Sequence, residues 1–204
     1  MCLAPAILSY AKPVVTTRFA ELMEIAADRH GLVTTEDAAE VGYAAGTLDT
    51  MARRGRLERL ATGLYRIPFL PGGQLTPYMA AALWPRGVQA VLTHETALDL
   101  WDVCDINPAK IHLTVPRSHR PQRQAPAGYV IHRDDLDPAE MAMIEGVPVV
   151  TLEKAIRQCA DLHVGLDLLE QAVRHGRERG LLKLAQVDAL AAELDLDRVG
   201  ATRA

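Results

Sequence analysis

Cysteine is scarce in this chain, with Cys2, Cys104 and Cys159 the only three in 204 residues. They form no CxxC pair and neighbour no histidine cluster, so they suggest neither a disulfide framework nor a zinc site, and they fit a reducing cytoplasm. No stretch approaches the roughly 20 apolar residues that span a bilayer. The opening MCLAPAILSYAKPVV has no basic flank before its short apolar run and is broken by Lys12 and Pro13, so it reads as a lead-in and not as a signal peptide. GxxxxGK, GxSxG and HExxH are all missing. No Asp or Glu is followed two positions later by lysine, which removes the arrangement that restriction-type nucleases use to hold a metal and place water.

Positive charge is not in excess either. The net charge is -4, which argues against non-specific affinity for nucleic acid, but the charges are segregated. Between residues 53 and 66 five arginines (Arg53, Arg54, Arg56, Arg59 and Arg66) face only Glu58, a local +4. From 134 to 204 eight basic residues meet fourteen acidic ones, or -6. One end of the chain suits phosphate and the other does not.

With 49% hydrophobic residues, the chain can bury one large core or two small ones. TRFAELMEIAADRHG places Phe19, Leu22, Met23, Ile25 and Ala26 at helical spacing and stops at Gly31. Thr35 with Glu36 and Asp37 predicts the capped start of a short helix through Val41. After a turn at Gly42, a third helix is predicted over Tyr43 to Arg54, with Ala44, Ala45, Leu48, Met51 and Ala52 on its apolar face. RLERL and LYRIP around ATG predict a hairpin, with Gly63 supplying a positive φ.

That order is the order of a winged helix-turn-helix. The third helix suits the major groove, where Tyr43, Thr47 and Thr50 would read or position, while Arg53, Arg54, Arg56, Arg59 and Arg66 would hold backbone phosphates. A solvated arginine face that binds nothing is the competing reading of the same charges.

GLVTTEDAAEVG and TLDTMARRGRLERLATGLYRIP resemble the N-terminal domain of AbiEi-type antitoxins of type IV toxin-antitoxin, or abortive-infection, systems. Downstream, THETALDLWDV, KIHLTVP, GYVIHRDDL and IEGVPVVTLEKAIRQCADL resemble the second domain of that family in order, so the similarity runs from about residue 17 to 180. The resemblance implies a cytoplasmic, non-enzymatic protein that represses its own operon by binding operator DNA, typically at inverted repeats, and neutralises a nucleotidyltransferase-like toxin. A stand-alone winged-helix regulator with a ligand-sensing second domain is the alternative.

The expected fold is α+β: a winged helix-turn-helix over residues 16–70, then a mixed α/β domain over 76–195 with a small sheet and flanking helices. In the second part Thr76 and Pro77 predict the start of one helix and Thr93 caps another bearing Ala97, Leu98 and Trp101. IHLTV, YVIHR and VPVV are strand candidates, Thr151 caps LEKAIRQCADL, and Gly165 precedes LDLLEQAVRHGRERG. The groups able to supply acid, base or metal ligands are His94 with Glu95, His112, His132, and Asp134 with Asp135. Each has a structural explanation: a helix first turn favours Glu95, and a strand histidine commonly faces water or a carbonyl. The expectation is therefore no catalytic residue, no metal and no cofactor. The loop PRSHRPQRQAP, with Arg117, Arg120 and Arg123, reads as a solvated connection between strands. Acidic residues such as Asp134, Asp135 and Asp137 are candidates to steer a basic toxin.

Overall fold

The structure, a computed structural model, describes residues 17–120 and 124–196. Helix α1, Arg18–Ala27, is capped by Thr17 and buries Leu22 and Ala26. Strand β1, Leu32–Thr34, follows directly, and helix α2 occupies Thr35–Glu40. The cap of α2 is Thr34 and not Thr35. Thr34 accepts from the Asp37 amide while the Asp37 carboxylate accepts from the Thr34 amide, a reciprocal capping box that Thr35 lacks the spacing to make.

Helix α3 spans Thr47–Arg53, four residues shorter at its start than the sequence predicts. The reason lies in how α2 ends. Gly42, at φ +82°, donates to the Ala39 carbonyl at 3.0 Å, and Tyr43 donates to the Ala38 carbonyl at 2.8 Å. This Schellman pair uses the backbone of Tyr43 to close α2. Ala44 and Ala45 are consequently exposed instead of lining the apolar face. Gly46 then turns through φ +79° to open α3.

Strands β2, Glu58–Ala61, and β3, Leu64–Arg66, form the predicted hairpin, with Gly63 at φ +77° in the turn. The three strands make one antiparallel sheet in the order β1-β3-β2. Both faces of this sheet are covered. Val33 and Tyr65 point to a cluster with Leu22, Ala26, Ala38, Leu48, Leu57 and Ile67. Their neighbours Leu32 and Leu64, on the opposite face by the two-residue period of a strand, enter a second and larger cluster built from residues 79 to 196.

That larger cluster is formed by helices α4, Thr76–Leu83; α5, His94–Trp101; α6, Leu152–Asp161; α7, Leu166–Glu178; and α8, Leu184–Leu194. They pack on a five-stranded sheet of β4 (Val91–Leu92), β5 (Ile111–Val115), β6 (Tyr129–Arg133), β7 (Met141–Ile144) and β8 (Val147–Val150). Its order is β6-β5-β4-β8-β7, and it is mixed, with β5 parallel to β6 and β4 parallel to β8. The fold is thus α+β, and none of its helices among the described residues is long and apolar enough to cross a membrane. Helix α4 carries Pro77 in its first turn as expected, although its cap position is Leu75 and Thr76 instead accepts from the Gly73 amide at 3.0 Å.

Candidate nucleic-acid interface

The arginines at the end of α3 are arranged by a second Schellman closure. Gly55, at φ +72°, donates to the Ala52 carbonyl at 3.0 Å, and Arg56 donates to the Met51 carbonyl at 3.0 Å. Arg53 is the last helical residue, Arg54 the cap, and Arg56 is folded back beside them. Three cations thus sit where the negative end of the helix dipole favours them. The Arg56 guanidinium lies 4.5 Å from the centre of the Phe19 ring, so α1 supports it by a cation–π contact. Phe19 in turn meets Phe69 at 6.3 Å.

Arg53, Arg54 and Arg56 are exposed and form no salt bridge among the described residues. Arg59, on β2, is also exposed, with its guanidinium 3.4 Å from Asp49. A groove of about 460 Å³ between α3 and the hairpin is lined by Asp49, Ala52, Arg53 and Arg59. Asp49 also accepts from the Tyr65 hydroxyl at 2.8 Å. Burial, followed by this bond to a carboxylate, raises the Tyr65 pKa, and Arg59 opposes the rise. Asp49 therefore ties helix, core and hairpin together.

The other four residues expected at the interface differ in availability. Thr47 donates to the Ala44 carbonyl at 2.7 Å and Thr50 to the Gly46 carbonyl at 3.1 Å, while Arg53 reaches the Thr50 hydroxyl at 3.3 Å. Both threonines keep acceptor capacity but first serve the entry to their own helix. Tyr43 lies ahead of α3 and packs partly on the core. Arg66 is half-buried, 3.5 Å from Glu58, and sits so close to Gly72 that a Cβ there would stand 2.9 Å from its Nη2. It points toward the chain and contributes less to the exposed charge than the other four arginines.

A second constellation lies in the larger sheet. His94 opens α5, while His112 and His132 stand on β5 and β6. His112 is registered with Val130, so His132, two residues on, shares its sheet face. The His94 and His132 rings stack at 3.8 Å, and His132 Nε2 and His112 Nδ1 are 3.2 Å apart. Burial lowers the pKa of all three, taking His94 to about 3, so the rings are neutral at neutral pH. The sequence named these histidines singly; the parallel pairing of β5 with β6 brings His112 and His132 together, and the start of α5 lays His94 against them.

Asp134 pairs with Arg117 at 2.8 Å, a bond that holds its pKa low, and Asp135 accepts from the Arg117 amide at 3.0 Å. Asp137 caps the short 3-10 turn Pro138–Glu140. The three acids thus hold local structure, and Arg123 of the same loop lies outside the described residues.

Residues 20–68 match the family described as transcriptional regulator, AbiEi antitoxin. The match covers the three helices and hairpin just described, and over this segment the resemblance to AbiEi-type antitoxins is established. No curated protein matches the chain. Among solved structures, the crystal structure of the RV2827C protein from Mycobacterium tuberculosis is similar at 18% identity with a TM-score of 0.42, over 86% of this chain and 81% of that one.

Proposed function

We propose that the chain is an operator-binding antitoxin whose residues 16–70 contact DNA and whose residues 76–195 oppose a nucleotidyltransferase-like toxin. The observation that carries the DNA half is the exposed set Arg53, Arg54, Arg56 and Arg59, placed at the end of α3 and on the adjoining hairpin within the segment that matches antitoxin regulators. In this reading Thr47 and Thr50 face base edges, Tyr43 helps position the helix, and the arginines, Arg66 least among them, hold phosphates. The family match over residues 20–68 supports a regulator.

Co-expression of the full chain with the product of the adjacent gene tests the antitoxin half. Restored growth, together with repression of a reporter driven by the DNA upstream, is the expected outcome. Repression without rescue contradicts toxin neutralisation and leaves a stand-alone regulator. Alanine at Thr47 or Thr50 is expected to change which upstream sequence is preferred, read by competition among base-substituted duplexes, with about 1–3 kcal/mol of discrimination lost per base pair read.

A further inference from the structure

We propose that His94, His112 and His132 bind a single divalent transition-metal ion, Zn2+ by preference, in the second part of the chain. One ligand nitrogen from each histidine can be chosen so that all three lie within 4.8 Å of one another. The closest pair, His132 Nε2 and His112 Nδ1, is separated by 3.2 Å. With zinc–nitrogen bonds of about 2.0–2.1 Å, two ligands on a tetrahedral ion stand about 3.3–3.4 Å apart, so this pair needs almost no rearrangement.

Two of the remaining nitrogens lie beside groups of the kind that orient metal-binding imidazoles. His94 Nδ1 lies 2.9 Å from Thr93 Oγ1, which is itself fixed by the Thr114 hydroxyl at 3.1 Å. That leaves His94 Nε2 as the ligand atom. His112 Nε2 lies 4.0 Å from Glu95 Oε2, beyond hydrogen-bond reach, so a small closing movement would complete the order carboxylate, histidine, metal. Three imidazoles suit zinc and its neighbours in the first transition row, and they leave one position for water or an incoming ligand.

The backbone supplies an independent sign. His94 has φ +55° at the start of a helix, a left-handed conformation that costs a side-chain-bearing residue energy, and its amide donates to the buried Gln158 side chain at 3.2 Å. Such strain concentrates at ligand clamps, and here it turns the imidazole over the sheet onto His132. A bound ion would tie the start of α5 to β5 and β6.

The test uses the full chain, stripped with chelator and titrated with Zn2+ by calorimetry and with Co2+ by visible absorption. One equivalent of Zn2+ and an intense ligand-field band from four-coordinate Co2+ are expected. His132→Asn should abolish the band and weaken Zn2+ binding by more than about a hundredfold; Glu95→Gln, which leaves all three ligands in place, should weaken it by about ten- to a hundredfold. Circular dichroism verifies the fold of each variant, and Glu95→Gln supplies the result if the His132 variant fails to fold. Absence of a one-to-one isotherm, or binding unchanged in a folded variant, overturns the site. Unchanged binding would assign the metal to other histidines, such as His30, His119, His163 or His175.

Discussion

Replacing both Arg53 and Arg54 with alanine is expected to weaken binding to a duplex from the upstream region by about a hundredfold or more. A charge-assisted hydrogen bond contributes about 1.5–3 kcal/mol, and a tenfold change in affinity corresponds to about 1.4 kcal/mol. The two side chains are exposed and leave the hydrophobic cluster beneath α3 untouched, since that cluster is made by Leu48 with Met51 and Ala52 alongside. Folding should therefore survive. The loss should be nearly uniform across DNA sequences, because these groups end the helix and hold phosphate in the proposed complex. Fluorescence anisotropy of labelled duplexes reads both features. An affinity unchanged in the folded double variant would mean that the arginine cluster is a solvated face.

Asp37→Ala is expected to cost about 3 kcal/mol of stability, a large share of the about 5–15 kcal/mol that keeps a typical domain folded. Asp37 is 4% exposed and its carboxylate serves three donors. The Thr34 amide and hydroxyl lie at 2.8 and 2.9 Å, and Arg29 at 2.7 Å. Alanine removes the capping box and leaves both Thr34 donors and the guanidinium without their acceptor. Arg29 is a third exposed and can turn to water, which keeps the expected loss at the lower end of the range for a broken buried pair. Asp37→Asn retains an acceptor oxygen and should lose about half as much. Urea unfolding followed by circular dichroism measures the difference, and a loss below about 1 kcal/mol would contradict the role assigned to this carboxylate.

The order helix, helix, turn, helix, hairpin was legible because it is written in local signals: helical spacing in α1, a threonine and two acids at α2, and Gly63 between two alternating runs. The start of α3 was not, because Ala44 and Ala45 fit a helical face perfectly well. Tyr43 is diverted to close α2, a choice visible only in the Schellman hydrogen bonds. Strand β1 was missed for a related reason. LVT is three residues long, and its burial on both faces depends on the larger cluster that receives Leu32, far away in sequence. The arginines were legible as charge, but their different fates were not. Arg66 sits beside Gly72 and Glu58, while Arg56 rests on Phe19, and neither contact follows from spacing. The histidine cluster was the least legible feature. Its members are separated by 18 and 20 residues, and a parallel strand pairing with a diagonal register offset is needed to join two of them.

The most direct measurement is the salt dependence of binding between the full chain and a duplex from its upstream region. Four exposed arginines on phosphate predict that the logarithm of affinity falls against the logarithm of salt with a slope of roughly -3.6 per protomer, at about -0.9 for each phosphate neutralised. Removing Arg53 and Arg54 should bring the slope to roughly -1.8. Affinity that does not change with salt, or no binding at low salt, would contradict the assignment of this winged domain to DNA.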